Sequence, residues 1–213
     1  MQCGAGVAGS LNFQRAVSDR IPGTCRDYAL MLCGILRHQG TPARVRCRFA
    51  SYFTANPWED HWICEYWSNV DRHWRRADAQ LDDTMKQRLG VSFDSTILPT
   101  GKFMTAGEAW RACRESGFEP KQFGHGTARG LWFSRVNVVR DHYALSQSEV
   151  SDWDSWRRAV GGHERLSNGE IELADLLAHE PEQASKHSVR PPWRGVMEHL
   201  HDQIFYADRT APQ

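Results

Sequence analysis

The stretch from residue 24 to residue 49 specifies a helix that is followed directly by a strand. Thr24 is a favourable N-cap, and Asp27, three residues later, approximates a capping box with Asp in place of the usual Glu. Apolar residues then recur at helical spacing until Gly40 supplies a stop and Pro42 prevents continuation. The next residues, ARVRCRF, alternate between small or apolar side chains and arginines, which is typical of a strand with one buried face. We therefore expect a helix packed against a sheet, with the arginines on the less buried side.

Two more strands are predicted downstream, joined by a turn. A polar loop over 54–60, which contains Trp58, leads into HWICEYW, a run rich in aromatic and β-favouring residues. SNVDR predicts the turn, and HWRRADAQL the returning strand. These segments predict a three-stranded antiparallel meander behind the helix.

The rest of the chain is predicted to be mainly helical. A capping box, Thr105 to Glu108, opens a helix that Gly117 stops, and apolar spacing predicts another over 130–145. Further helices are predicted over 151–160, 170–179 and 191–207. Residues 80–104 show no clear pattern.

Composition excludes several classes of protein. The chain has 213 residues, 40% of them hydrophobic, which suffices for one domain with a sizeable core. Its formal net charge is zero, so there is no electrostatic reason to expect nucleic acid or an anionic membrane as a partner. No apolar run approaches the roughly 18 residues needed to span a bilayer. Residues 1–11 lack the basic region and apolar core of a signal peptide, so a cytoplasmic location is expected.

The cysteines and histidines do not predict a metal site or a disulfide framework. None of the cysteines has C-x-x-C spacing, and the histidines are scattered without an H-E-x-x-H motif. Most of the cysteines are expected to be small buried side chains. The cysteines are Cys3, Cys25, Cys33, Cys47, Cys64 and Cys113. We predict that the protein holds no metal and no cofactor.

Cys25, His61 and Asp78 are the candidate catalytic residues. Cys25 takes the first helical position, where free backbone N–H groups and the helix dipole favour a thiolate and can later hold an oxyanion. If the turn centres near residue 70, His61 faces Asp78 or its neighbour, and the carboxylate can orient the imidazole. The alternatives are an inert buried cysteine and an ordinary cross-strand surface pair.

Three segments carry a resemblance to a known family. GTCRDYALMLCGILRHQGTPARVR, EDHWICEYW and ADAQLD resemble the core of the transglutaminase-like superfamily of papain-related cysteine enzymes, with Cys25, His61 and Asp78 matching its triad. RGLWFSRVNVVRDHYAL is similar to a segment of small bacterial members of uncharacterised function. The resemblance implies an α+β fold in which the catalytic cysteine begins a helix packed on an antiparallel sheet. It also implies a single domain over 1–213, with the catalytic core in 20–85 and a mainly helical extension over 105–206.

The function implied by this resemblance is acyl chemistry through a thioester, either hydrolysis of an amide or peptide bond or acyl transfer to an amine. The expected partner is an amide- or thioester-containing substrate, either a peptide or a small molecule, and the oligomeric state stays open. The alternative is a scaffold or binding protein that has lost turnover, because related small members usually carry more sequence before the cysteine. A nucleic-acid module is a third possibility, which the neutral net charge opposes.

Four residues are candidates for substrate binding. Trp58, in the loop before His61, is a candidate lid or platform, and Asp60 and Gln80 flank the triad. Arg135 is the candidate to enter the cleft and bind a substrate carboxylate in a bidentate manner. It belongs to a polar ladder whose simpler interpretation is a solvated or interdomain face. The ladder consists of Arg129, Arg135, Asn137, Arg140 and Asp141.

Overall fold

A six-stranded sheet with helices packed against it forms the centre of the computed structural model, which describes residues 16, 18, 22–53, 58–147 and 165–179. The strands are β1 (Ala43–Ala50), β2 (Trp58–Ser68), β3 (His73–Ala77), β4 (Phe103–Thr105), β5 (Phe123–His125) and β6 (Ala128–Arg129). The α-helices are α1 (Cys25–His38), α2 (Asp83–Leu89), α3 (Ala106–Glu115), α4 (Leu131–Leu145) and α5 (Asn168–His179). This mixture of a sheet and helices fits a transglutaminase-like fold.

The start of α1 is fixed by the local signals that the sequence contains. The Asp27 carboxylate accepts hydrogen bonds from the backbone N–H of Thr24 at 2.7 Å and from its hydroxyl at 3.0 Å. The helix ends at His38, and Gly40 follows with φ of +80°, a left-handed conformation that glycine adopts without strain. The predicted helix is confirmed, with Cys25 as its first residue.

The sheet contains the predicted meander and extends it on both sides. Its strand order is β4-β1-β2-β5-β6, and β3 also pairs with β2. The pairs β1–β2, β2–β3, β1–β4 and β5–β6 are antiparallel, whereas β2 and β5 are parallel. The sheet is therefore mixed rather than wholly antiparallel, because a short strand from the second half of the chain joins β2.

The register of the β2–β3 hairpin differs from the expected one. Cys64 pairs with Ala77, so β3 ends one residue before Asp78. The expectation that His61 directly faces Asp78 or its neighbour is wrong as a statement of strand pairing. The four connecting residues 69–72 include Arg72 in a left-handed conformation, with φ of 56°. Because Ser68 pairs with His73, the hairpin is centred between Val70 and Asp71 rather than on Val70, which moves the pairing by one residue.

Strand β1 is buried along its whole length, so the expectation of a half-buried strand is wrong. All eight of its residues are buried, including Arg44, Arg46 and Arg48. Charged side chains are buried only when they find opposite charges, and here those charges come from remote parts of the chain. Glu65 of β2 and Asp141 of α4 supply them.

The three arginines and their two carboxylate partners form what we call the arginine cluster, which consists of Arg44, Arg46, Arg48, Glu65 and Asp141. Arg44 Nε lies 2.8 Å and Arg46 Nη1 2.9 Å from Glu65 Oε2, and Arg48 Nη2 bonds to Glu65 Oε1. Arg46 Nη2 lies 2.6 Å from Asp141 Oδ2. Asp141 Oδ1 also accepts a hydrogen bond from the backbone N–H of Cys47 at 3.0 Å. Helix α4 is thereby tied to both the side chains and the backbone of β1.

Helix α4 is a central element, and its polar ladder is not solvated. The helix packs against β1, α3 and α5. The interpretation as a solvated face is wrong for the four ladder residues of the helix, Arg135, Asn137, Arg140 and Asp141, which are all buried. Arg129 precedes the helix in β6, where its guanidinium pairs with Glu59.

Apolar packing secures the helices on the sheet. Helix α1 covers a cluster that includes Cys47, Trp62 and Cys64, while Trp110 and its neighbours join α3, α4 and α5. The predicted α3 and its capping box are confirmed, since Glu108 Oε2 accepts from the backbone N–H of Thr105 at 2.6 Å. Helix α5 confirms the prediction for 170–179, whereas the predicted helices over 151–160 and 191–207 lie outside the described residues. Among the described helices, none has both the length and the apolar character required to cross a membrane.

Candidate active site

Cys25 lies at the N-terminus of α1, where the sheet and the helix meet. It is partly buried and packs against the cluster that contains Cys47 and Trp62. The first helical hydrogen bond runs from the backbone N–H of Tyr28 to the Thr24 carbonyl at 3.3 Å, and Asp27 engages the Thr24 N–H. Cys25 is therefore the first residue of a capped helix, the end of a helix at which backbone N–H groups lack helical partners.

His61 contacts both of the other candidate catalytic residues. Its Nε2 lies 2.7 Å from Asp78 Oδ2, and its ring also forms a hydrogen bond with the Cys25 side chain. Because Asp78 engages Nε2, the ring nitrogen left for the sulfur is Nδ1. The structure therefore brings Cys25, His61 and Asp78 together although they come from a helix, a strand and the residue that follows another strand.

The environment of His61 favours its protonated form. The side chain is 2% exposed, and burial alone would lower its pKa. The negative charge and hydrogen bond of Asp78, followed by the contact with Cys25, outweigh burial and raise the pKa of His61 to about 10. At neutral pH the imidazole is therefore cationic and can stabilise an adjacent thiolate.

Asp78 is held by three donors. Its Oδ2 accepts from His61 and from the Tyr52 hydroxyl, and its Oδ1 accepts from the backbone N–H of Gln80 at 2.9 Å. Burial alone would raise the pKa of Asp78, but the His61 charge and these hydrogen bonds hold it below the ordinary value. The carboxylate stays ionised and fixed in orientation.

Aromatic rings enclose the His61 imidazole. The ring centroid of Phe53 lies 4.6 Å from that of His61, and those of Tyr52 and Phe103 both lie 6.0 Å from it. Sequence reasoning missed these three residues. Tyr52 and Phe53 come close to His61 because Arg48 of β1 pairs with His61 and both residues follow the end of β1, a register that the sequence alone does not give.

Trp58 lies in β2, so its assignment to a loop is wrong. Its ring stacks on that of Phe123 with centroids 6.2 Å apart and planes at 17°, beside a cluster that includes Phe49 and Phe133. The strand begins earlier than expected because Trp58 pairs with Phe123 of β5. The proposed role as a lid is not favoured by this position, and any role in substrate binding stays a prediction.

The other three candidate binding residues lie in different environments. Asp60 bonds to α4, with Asn137 Nδ2 2.7 Å from its Oδ1 and Arg140 Nη1 3.4 Å from its Oδ2. Burial raises the pKa of Asp60 despite these partners. Gln80 reaches the site through its backbone N–H on Asp78. Arg135 lies against α5, with its Nη2 3.9 Å from Glu170 Oε1.

The described ranges contain neither a metal-holding group nor a disulfide. Within 22–53, 58–147 and 165–179, no group of three or more His, Cys, Asp or Glu side chains has the geometry to hold a metal ion. The five cysteines that the structure describes are free thiols. They are Cys25, Cys33, Cys47, Cys64 and Cys113.

Comparison with known proteins agrees with the resemblance found in the sequence. The family model described as the Transglutaminase-like superfamily matches residues 8–79, about a third of the chain, and this range includes all three candidate catalytic residues. The search of curated proteins and the search of solved structures returned no significant match. The resemblance to the transglutaminase-like superfamily is therefore confirmed for residues 8–79.

Proposed function

We propose that this protein is a cysteine-dependent acyl-group enzyme that acts through a thioester on Cys25. The observation that carries the proposal is the double contact of His61, which bonds at once to the Cys25 side chain and to Asp78. This is the nucleophile, base and orienter arrangement that activates a thiol. The superfamily match over 8–79 supports the class of papain-like cysteine enzymes and leaves the substrate open.

The first step is attack of the Cys25 thiolate on an amide or thioester carbonyl carbon. A carbon–sulfur bond forms, and the carbonyl oxygen becomes a tetrahedral oxyanion. Backbone amides of the first turn of α1 are the candidate donors to that oxyanion, a contribution that is typically worth about 10²–10³-fold in rate. His61 then gives its proton to the leaving amine or thiol as the tetrahedral intermediate collapses to the thioester.

The second step releases the acyl group. Neutral His61 removes a proton from water or from an acceptor amine, which attacks the thioester and restores the Cys25 thiolate with a protonated imidazole. Hydrolysis is the proposed default because water needs no second binding site. Transfer to an amine is the alternative outcome, and product analysis with and without added amines distinguishes them.

The proposal is tested first by the reactivity of the thiol, because this needs no substrate. Iodoacetamide labelling, resolved by peptide mass spectrometry, gives the rate at each cysteine between pH 5 and pH 9. Cys113 is the matched control, since it is also partly buried and burial raises its pKa to about 11. We expect Cys25 to label at pH 6 at least about tenfold faster than Cys113, and His61→Ala to remove that advantage.

A second experiment measures turnover. The protein is incubated with a panel of peptide amides and acyl thioesters, and intact mass detects an acyl adduct that Cys25→Ala cannot form. Hydrolysis by the native protein that is lost in Cys25→Ala with an unchanged circular dichroism spectrum is the expected result. Turnover that survives Cys25→Ala overturns the proposed role of Cys25. Labelling of Cys25 no faster than Cys113 at pH 6 overturns the proposal and favours the scaffold alternative.

A further inference from the structure

Tyr52 contacts the candidate site from the end of β1 and has no place in the steps described above. Its hydroxyl donates to Oδ2 of Asp78, the same oxygen that binds Nε2 of His61. Asp78 thus has one oxygen shared by Tyr52 and His61, while the backbone N–H of Gln80 engages the other. A carboxylate held on both oxygens cannot rotate away from the imidazole.

The ring of Tyr52 is fixed by packing. The side chain is buried, and its centroid lies 4.7 Å from that of Phe53, 5.4 Å from that of Phe93 and 5.8 Å from that of Phe103. These rings hold the phenol in place, so the hydroxyl meets Asp78 without needing to be ordered during the reaction. This is the kind of support that keeps catalytic groups in a productive geometry.

We propose that Tyr52 is a positioning residue that keeps Asp78 ionised and aimed at His61 while the imidazole is neutral. The inference rests on the proposed function of Cys25, His61 and Asp78. Once His61 has protonated the leaving group, the buried Asp78 carboxylate loses its cationic partner, and an unpaired buried charge is costly. The Tyr52 hydroxyl and the Gln80 amide remain bonded to the carboxylate at that stage, so His61 can take its next proton in the same orientation.

Tyr52 is suited to this role because it stays a donor. Burial, and next the negative charge of Asp78, raise the pKa of Tyr52 far above its ordinary value. The titratable groups that act on Tyr52 are Asp78, which follows β3, and Cys25 of α1, while His61 of β2 acts on Asp78. Each of these residues belongs to the proposed reaction, so a change at Tyr52 is expected to alter how the site titrates.

The test is the pH profile of Cys25 labelling by iodoacetamide, extended from pH 9 down to pH 3, in Tyr52→Phe, which keeps the ring and removes only the hydroxyl. A hydrogen bond to a buried charged group is typically worth one or more pKa units. Asp78 should therefore accept a proton at higher pH, and the acid limb of the profile should move up by about one unit. Labelling along that limb becomes roughly tenfold slower, while the rate at pH 9 stays within about twofold of the native protein.

Tyr66→Phe is the matched control. Tyr66 lies in β2, is partly buried and donates one hydrogen bond, from its hydroxyl to the Thr96 carbonyl at 3.0 Å rather than to Asp78. We expect no shift in the labelling profile of this variant. A shift of equal size in Tyr66→Phe would assign the effect to general loosening of the sheet and overturn the inference.

A double variant tests whether Tyr52 acts through Asp78. If it does, adding Tyr52→Phe to Asp78→Asn changes the profile no further, whereas a packing effect adds fully. An unshifted acid limb in Tyr52→Phe, with native Cys25 still far more reactive than Cys113, overturns this inference alone. If Cys25 of the native protein is no more reactive than Cys113, the proposed function is overturned as well.

If Tyr52→Phe does not fold, 3-fluorotyrosine at position 52 replaces it. This residue keeps the hydroxyl and the shape but donates a stronger hydrogen bond, because fluorine makes the phenol more acidic. The acid limb is then expected to move to lower pH. An unchanged limb in the folded fluorinated protein contradicts the inference.

Discussion

Two regions of buried charge lie on one face of the β1–β2 pair, and they are built differently. Arg48 pairs with His61 and Arg44 with Glu65, and paired residues share a face. One region is the candidate site around His61, and the other is the arginine cluster. Both are removed from water. The site contains a histidine, whose charge is lost as the pH rises toward about 10, whereas the cluster contains arginines and carboxylates.

The arginine cluster neutralises fixed charges. At neutral pH its three guanidinium groups are cationic, and burial alone would raise the pKa of Glu65, but four arginines hold it well below the ordinary value. They are Arg48, Arg46, Arg44 and Arg76. In the site, by contrast, His61 contacts Cys25 and Asp78, and each of these groups can carry or accept a proton. Buried groups that stay charged stabilise the fold, whereas buried groups that can gain and lose a proton are suited to chemistry.

Removing the carboxylate of Glu65 tests this comparison with the largest expected effect. Glu65→Gln leaves three buried guanidinium groups with Asp141 as the one remaining anion of the arginine cluster, and breaking a buried pair from one side typically costs about 3–5 kcal/mol. Urea unfolding measures the loss. Glu59→Gln on the same strand is the control, because the Glu59–Arg129 pair is partly exposed and should contribute about 1 kcal/mol or less. Equal losses in both variants would refute the distinction between the regions.

The pH dependence of stability is the next largest effect. It distinguishes His61, which titrates, from the arginine cluster, which stays charged at neutral pH. The pKa of His61 is raised from 6.5 to about 10 on folding. Its contribution to the free energy of unfolding is therefore fully present below pH 6.5 and is lost as the pH rises toward 10.

The measurement is the difference in unfolding free energy between the native protein and His61→Gln at pH 6 and at pH 9. We expect the stability advantage of the native protein to shrink over this interval by an amount on the order of 1–3 kcal/mol. Titrating groups remote from the site are common to both proteins and cancel, and the pKa of Asp78 stays below this pH interval in the native protein. A difference that stays constant with pH would mean that His61 is not charged in the folded state.

A contact at the edge of the arginine cluster gives the smallest expected effect. The Arg44 guanidinium lies over the Trp74 ring, 4.1 Å from its centroid. Trp74→Leu removes the aromatic face and should lower the free energy of unfolding by about 1–2 kcal/mol, whereas Trp74→Phe keeps a weaker face and should lose less. Thermal unfolding in low and high salt measures both variants. Equal losses for Leu and Phe would show that packing area alone matters here.

Local signals predicted the elements that local residues determine. Thr24 and Asp27 specify the start of α1, Thr105 and Glu108 specify the start of α3, and both helices begin where expected. These signals act over three residues, so they can be recognised in the sequence without knowledge of the fold.

Features that depend on distant partners were not predictable in this way. The burial of β1 requires Asp141, which lies 95 residues beyond Arg46, and the early start of β2 requires a pairing between Trp58 and Phe123. At the site, chain order and family resemblance indicated Cys25 but did not indicate Tyr52. The hydroxyl of Tyr52 reaches Asp78 only through tertiary packing, for which the sequence gives no spacing rule.

The bond between Arg46 and Asp141 has a consequence for the order in which the molecule assembles. During synthesis at about 5–20 residues per second, β1 leaves the ribosome roughly 5 to 20 seconds before α4 is complete. Throughout that interval the guanidinium of Arg46 lacks one of its two carboxylate partners, because Glu65 is already synthesised and Asp141 is not. The superfamily match ends at residue 79, so the second carboxylate on Arg46 comes from a helix outside the matched range.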